Sequence, residues 1–181
     1  MIESNKADRI KLVSFVLLQF QRKGEHKMFF KVAYVCGPLT ELSTELAQEV
    51  KSFYERIGDV CQTITGVRAF VPHEHFDPLK HSDFTPQQVD EAERNQVCNN
   101  TSVLIVVTIA PSWGGGIEVE MANQSNVPVI IICEKGRKVS RLLKGNPAVK
   151  KIIEYSTQDE AILKLKEIMS VLIINREALC E

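Results

Sequence analysis

The chain is 181 residues long, 44% hydrophobic and 25% charged, which suits one globular domain with a substantial core. Its 22 basic and 23 acidic residues leave a formal net charge of −1. With the basic residues scattered, neither a nucleic-acid groove nor an anionic membrane surface is expected, and small-molecule or protein partners are favoured. The five cysteines, Cys36, Cys61, Cys98, Cys133 and Cys180, are odd in number and widely spaced. They read as free thiols and predict a cytoplasmic protein.

In chain order, "IKLVSFVLLQF" (Ile10 to Phe20) is an apolar run interrupted by Lys11, Ser14 and Gln19. It is shorter than the roughly 20 residues a membrane span requires, and no small-residue cleavage site follows it, so neither a span nor a signal peptide is expected. The reading is an accessory amphipathic helix, with residues 1–27 an N-terminal appendage and residues 28–181 the domain proper. Thereafter strands and helices alternate. "FKVAYVCG" (Phe30–Gly37) reads as a buried strand, Glu41–Ile57 as a helix, and "VRAFVP" (Val67–Pro72) as a second strand. Thr85 and Pro86 open a second helix as N-cap and first helical residue. "SVLIVVTIA" (Ser102–Ala110) and "VPVIIICE" (Val127–Glu134) are apolar enough for central parallel strands. "GGGIEVEMANQS" lies between them as a helix; Lys150–Ser156 is a last strand and Asp159–Ile174 a closing helix. The pattern predicts an α/β three-layer sandwich with a five-stranded parallel sheet in the order 2-1-3-4-5. "PHEHFDPLKHSDFTP" is a candidate lid.

In such a sheet ligands bind outside the carboxyl ends of the strands, where strand order reverses. That places function at "CGPLTEL" after the first strand and "APSWGGG" after the third. Gly114, Gly115 and Gly116, between a strand and a helix, let backbone N–H groups approach a ligand. Neither G-x-G-x-x-G nor Gly-Lys-Ser/Thr is present, so dinucleotide binding and ATP hydrolysis are excluded and no cofactor is expected. Glu118 is expected in the first turn of the following helix, where the dipole keeps a carboxylate ionised and suited to nucleophilic attack or to electrostatic support of a cationic centre, or simply complements the dipole. Glu120 lies about 200° further around the helix and faces elsewhere. His73, His75, Asp77 and His81 do not fit a zinc spacing, and no metal site is expected. A loop over the ligand is the better use for Phe76 and these histidines, His75 included. Cys36 reads as a small buried residue, and Trp113, the only tryptophan, as a pocket wall or interface residue.

Tyr34-Val35-Cys36-Gly37-Pro38-Leu39, then "PSWGGGIEVEMA" (Pro111 to Ala122), then "VPVIIICE" resemble the nucleoside 2-deoxyribosyltransferase superfamily. The nearest pattern is its branch of 2′-deoxynucleoside 5′-monophosphate N-glycosidases. The resemblance implies a flavodoxin-like fold, usually a homodimer, binding a nucleoside or nucleotide. It further implies Glu118 as nucleophile at C1′, Tyr34 as its assistant and Ser112 in contact with the 5′ substituent. Gly37, Pro38, Trp113, Gly114 and Gly116 would line the substrate. Two departures stand out. Pro38 and Thr40 replace the serine and arginine that hold phosphate in that branch, and Arg94 stands where the family has an aspartate. Either Glu93 substitutes after a one-residue shift, or the chemistry is altered; Arg94 alternatively supplies charge for a phosphate. The leading expectation is hydrolysis of an N-glycosidic bond with release of the base. Base exchange by a deoxyribosyltransferase and a nucleotide-sensing module without turnover are the alternatives. A lysine-decarboxylase-like phosphoribohydrolase ranks last, because its Pro-Gly-Gly-x-Gly-Thr motif is absent. The apolar run at Ile10–Phe20 and the tail residues Ile168, Val171, Leu172, Ile173 and Ile174 add a second argument for a homodimer.

Overall fold

Alternate residues of the first strand enter two different cores: Ala33 and Val35 pack on one face of the sheet, Tyr34 and Cys36 on the other. A computed structural model of the chain describes residues 31–39, 42–77 and 83–177, with side chains as far as residue 172. The expected appendage, Thr40 and His81 lie outside the described residues.

The strands are β1 (Val32–Cys36), β2 (Thr101–Val107), β3 (Val129–Glu134) and β4 (Val149–Tyr155). The helices are α1 (Thr44–Thr65), α2 (Pro72–Phe76), α3 (Pro86–Asn100), α4 (Trp113–Gln124), α5 (Arg141–Lys144) and α6 (Gln158–Glu177). One face of the sheet is covered by α1, through Val50, Phe53, Tyr54 and Ile57, and by α6, through Ala161, Leu165 and Met169. The other is covered by α3 through Val97 and by α4 through Val119, Met121 and Ala122. β2 is buried along its whole length, as a strand with a helical layer on each side must be.

The sheet has four parallel strands in the order β1-β2-β3-β4, where five were expected. Val67–Pro72 contributes only a single parallel bridge, Phe70 opposite Tyr34, made by Val35 N–H to the Phe70 carbonyl (2.9 Å) and Phe70 N–H to the Ala33 carbonyl (2.8 Å). The reason is local. Val67 N–H is taken by the Thr65 hydroxyl (3.0 Å), and Pro72, without an N–H, starts α2 instead of extending a ladder.

Helix ends follow their caps. Ser43 opens α1, three residues later than the hydrophobic spacing suggests, and Gly66 closes it at φ 77°. Thr85 and Gln88 form a capping box at α3. The short helix α5, capped by Ser140, was not anticipated. Ile168 and Leu172 pack against the core of their own chain, so this part of the apolar tail does not serve as a free association surface.

Candidate active site

The carboxyl end of β1 delivers two polar side chains to the α3/α4 face, Tyr34 and Cys36, because both are on the same side of the pleat. α4 begins with Ser112 as N-cap, its Oγ accepting from Gly115 N–H at 3.1 Å. Its first helical residue is Trp113, so Glu118 falls in the second turn, not the first. This corrects the expectation that the dipole governs its charge, since that effect fades beyond the first turn.

What surrounds Glu118 governs it instead. The Tyr34 hydroxyl donates a buried hydrogen bond to Glu118 Oε1. Burial pushes the Glu118 carboxyl above its ordinary value, and hydrogen bonds from Cys36 and Tyr34 pull the other way. Tyr34 and Cys36 are both held protonated, first by burial and then by the charge of Glu118. On α3, Glu93 is pushed up to about 7 by burial, by the charge of Glu118 and by Asp90. The two carboxyls therefore differ. Burial raises both, but Glu118 has the Tyr34 hydroxyl as a donor, while Glu93 is raised further by the charge of Glu118.

Tyr34 is held in turn by an aromatic stack. Phe70 lies on it with ring centroids 5.3 Å apart at 16°, and His75 lies on Phe70 at 4.4 Å and 12°. His73 is buried on the opposite side of α2, bonded to Glu55 (3.2 Å), so the two histidines face different partners.

Arg94 points away from this cluster. It is exposed and paired with Asp90, four residues back on the same helix face, at 2.8 Å. Glu93, one residue earlier, is near enough for the charge of Glu118 to raise its carboxyl.

A cavity of about 600 Å³ lies across α4, at the carboxyl ends of β2 and β3. Gly37, Pro38, Ser112, Trp113 and Gly116 contribute to its wall, and so does Glu120; Glu118, Tyr34 and Glu93 do not. The expected site residues thus divide between a carboxylate cluster and a separate cavity on the two sides of one helix.

The glycines have different reasons. A Cβ on Gly37 would lie 2.1 Å from Tyr54 Oη and 2.8 Å from the Val107 carbonyl oxygen. One on Gly115 would meet Cys36 Sγ at 3.2 Å and Ser112 Oγ at 3.3 Å. Gly114 and Gly116 would meet nothing within 4 Å, so packing within the chain does not require them.

Sequence reasoning missed Tyr54 and Phe70. Tyr54 donates to the Pro38 carbonyl at 3.1 Å and fixes the loop after β1. Its signal was only its place next to Phe53 on a helix face; Phe70 was hidden in a presumed strand.

No protein-family model matches the sequence, and no curated protein matches it. Among solved structures, the fold is similar to that of a CMP N-glycosidase, BcmB, from Clostridium botulinum, at 17% identity and a TM-score of 0.53 over 76% of this chain and 99% of the other. BlsM, solved in solution, is similar at 16% identity and a TM-score of 0.56 over 83% and 95%. A conserved protein from Enterococcus faecalis V583 is similar at 15% identity and a TM-score of 0.53 over 77% and 99%. What is shared at these identities is the fold. Among the described residues no helix is long and apolar enough to cross a membrane.

Proposed function

We propose that this chain hydrolyses the N-glycosidic bond of a nucleoside or its 5′-monophosphate and releases the base. The observation that carries the reading is the buried Tyr34–Glu118 hydrogen bond, with a second carboxyl, Glu93, close enough for the Glu118 charge to help push it up to about 7. The fold it shares with a CMP N-glycosidase supports the same reading.

Glu118 attacks C1′ as the C1′–N bond breaks, through an oxocarbenium-like state, and the bonding pair leaves with the base. Glu93 protonates the base as it departs. Water then attacks C1′ of the sugar ester, Glu93 takes its proton, and Glu118 is released as carboxylate. Tyr34 orients Glu118 throughout. The sugar lies against Glu118, and its 5′ substituent extends past the first turn of α4 toward Ser112, Gly116 and the loop at Gly37 and Pro38, which wall the cavity across the helix. His75, the outer ring of the stack, offers a face to the base. With Pro38 in the first loop and Arg94 turned to solvent, the preference for monophosphates over nucleosides is weak. The active form is a homodimer, since Trp113 is 94% exposed, Ile117 follows it by one turn at 54%, and Leu142 near the cavity is 88% exposed.

Incubation with a panel of ribo- and deoxynucleosides and their 5′-monophosphates, with free base read by chromatography, tests this reading. Base release by the wild type and none by Glu118→Ala is expected. Tight binding without release would replace the hydrolase by a sensor. Release only when a second base is supplied would make it a transferase.

A further inference from the structure

The cavity across α4 has a size and a chemistry that a 5′-hydroxyl or a phosphate leaves unused. At about 600 Å³ it falls within the roughly 300–1,000 Å³ that whole drug-sized ligands fill. Val106, Ile109, Pro111, Val119, Val139 and Leu143 give it an apolar wall. Polar groups of the wall are engaged within the chain. Arg137 donates to the Glu134 carboxylate (2.9 Å) and to the Ile109 carbonyl, Thr108 donates to the Ile132 carbonyl (3.2 Å), and Glu120 accepts from Asn146 (3.0 Å). Lys138 and Glu120 bring opposite charges to the same wall, and Arg137 is balanced by Glu134. A phosphate placed here exchanges water for apolar side chains with no net cationic charge around it, which is unfavourable.

A bare stretch of helix joins this cavity to the carboxylate cluster. Gly114 and Gly115 precede Glu118 by four and three residues and so lie one turn before it on the same helix face. Gly115 is also part of the cavity wall, as is Val119 next to Glu118. No side chain stands at positions 114, 115 and 116, and a Cβ at 114 or 116 would meet nothing within 4 Å. We propose that the cavity is a specificity pocket for an uncharged, apolar group on C5′ of the substrate, so that the preferred substrates are nucleosides carrying an alkylthio, aryl or acyl group there. The proposal rests on Glu118 being the nucleophile of a nucleoside hydrolase: the sugar lies against Glu118 and its 5′ substituent crosses the glycine turn into the cavity. The chemistry at C1′ is unchanged. Each methylene buried in the pocket strengthens binding about fourfold, the equivalent of about 0.8 kcal/mol.

The probes are 5′-butylthio-5′-deoxy derivatives of the common ribo- and 2′-deoxynucleosides, beside the parent nucleosides and their 5′-monophosphates. For the full chain, kcat/KM for base release is about 10–100-fold higher with the butylthio compound than with its parent or monophosphate. Val139→Phe fills the pocket and lowers that ratio at least about tenfold, whereas Val139→Ala keeps it. If Val139→Phe does not fold, Leu142→Asp, at a wall position 88% exposed, takes its place and lowers the ratio by setting a charge against the apolar group. A butylthio compound no better than its parent or monophosphate, or a ratio that neither variant moves, overturns the proposal, while base release still upholds the hydrolase. Calorimetry with Glu118→Gln separates the opposite case. Butylthio compounds that bind about 10–100-fold tighter than their parents, with no base released by the wild type, sink the hydrolase and leave the pocket standing. Equal binding without release defeats both.

Discussion

Tyr34 and Glu118, 84 positions apart, meet in a buried hydrogen bond between the middle of a strand and the second turn of a helix. The bond satisfies the Tyr34 hydroxyl inside that core and gives the Glu118 carboxyl a donor. A buried charge left without its donor costs more than the bond itself contributes. Tyr34→Phe therefore lowers kcat by about 10–100-fold, the equivalent of about 1.5–3 kcal/mol for a charge-assisted bond. Steady-state kinetics of base release check this, with circular dichroism as the control for folding.

Glu93→Gln removes the proton donor for the leaving base and lowers kcat by about 10²–10⁴-fold. A substrate with a base that leaves without protonation, such as a 7-methylated purine nucleoside, loses far less. Equal losses on both substrates would remove Glu93 from the acid role. Arg94→Ala, on the solvent side of the same helix, changes kcat/KM less than about twofold, in keeping with an exposed pair.

Stability carries the same signature. Glu93 has a folded-state pKa raised from the ordinary 4.5 to about 7, so the native state binds more protons than the unfolded state in that window. Stability then falls as pH rises from about 4.5 to 7. Thermal unfolding followed across this range shows the decline for the wild type and a flatter profile for Glu93→Gln.

The glycines give opposite predictions. Gly37→Ala drives a methyl group into Tyr54 and lowers stability by about 1–3 kcal/mol, the usual cost of overpacking. Gly116→Ala meets open space and raises stability by about 0.4–1 kcal/mol through the unfolded chain. If substrate comes close to that backbone, the more stable variant is the less active one. Denaturant melts and kinetics on the two variants decide it.

Trp113, the sole tryptophan, reports on association. Its emission shifts to the blue as micromolar dimers form, and Trp113→Ala raises the dissociation constant at least about tenfold, as loss of an exposed aromatic anchor does. Light scattering that shows a monomer at all concentrations would remove the dimer.

Much of the architecture is legible in apolar runs and caps. β2 and β3 are built on apolar runs, and Thr85 and Pro86 mark a helix start by chemistry that acts over three or four residues, whereas the cap at Ser112 was not read. Val67–Pro72 was misread because its β-branched and aromatic residues suit a strand, whereas the decisive events are a hydroxyl at Thr65 and the missing N–H of Pro72. Glu118 stood out through the glycines before it, but its turn did not, since Trp113 gives no helix signal of its own. The choice between Glu93 and Arg94 depends on a helix rotation of about 100° per residue. Only the packing of α3 against α4 fixes that phase.

The two-core arrangement of β1 has a consequence for how the chain can change. Because Tyr34 and Cys36 occupy even steps and Ala33 and Val35 odd ones, position in this strand has parity. Inserting or deleting one residue ahead of Tyr34 would exchange the two sets, sending the tyrosine and the thiol into the α1/α6 core and presenting alanine and valine to Glu118. Drift in length within this strand is admissible only in pairs, while the loops around it are free of that arithmetic.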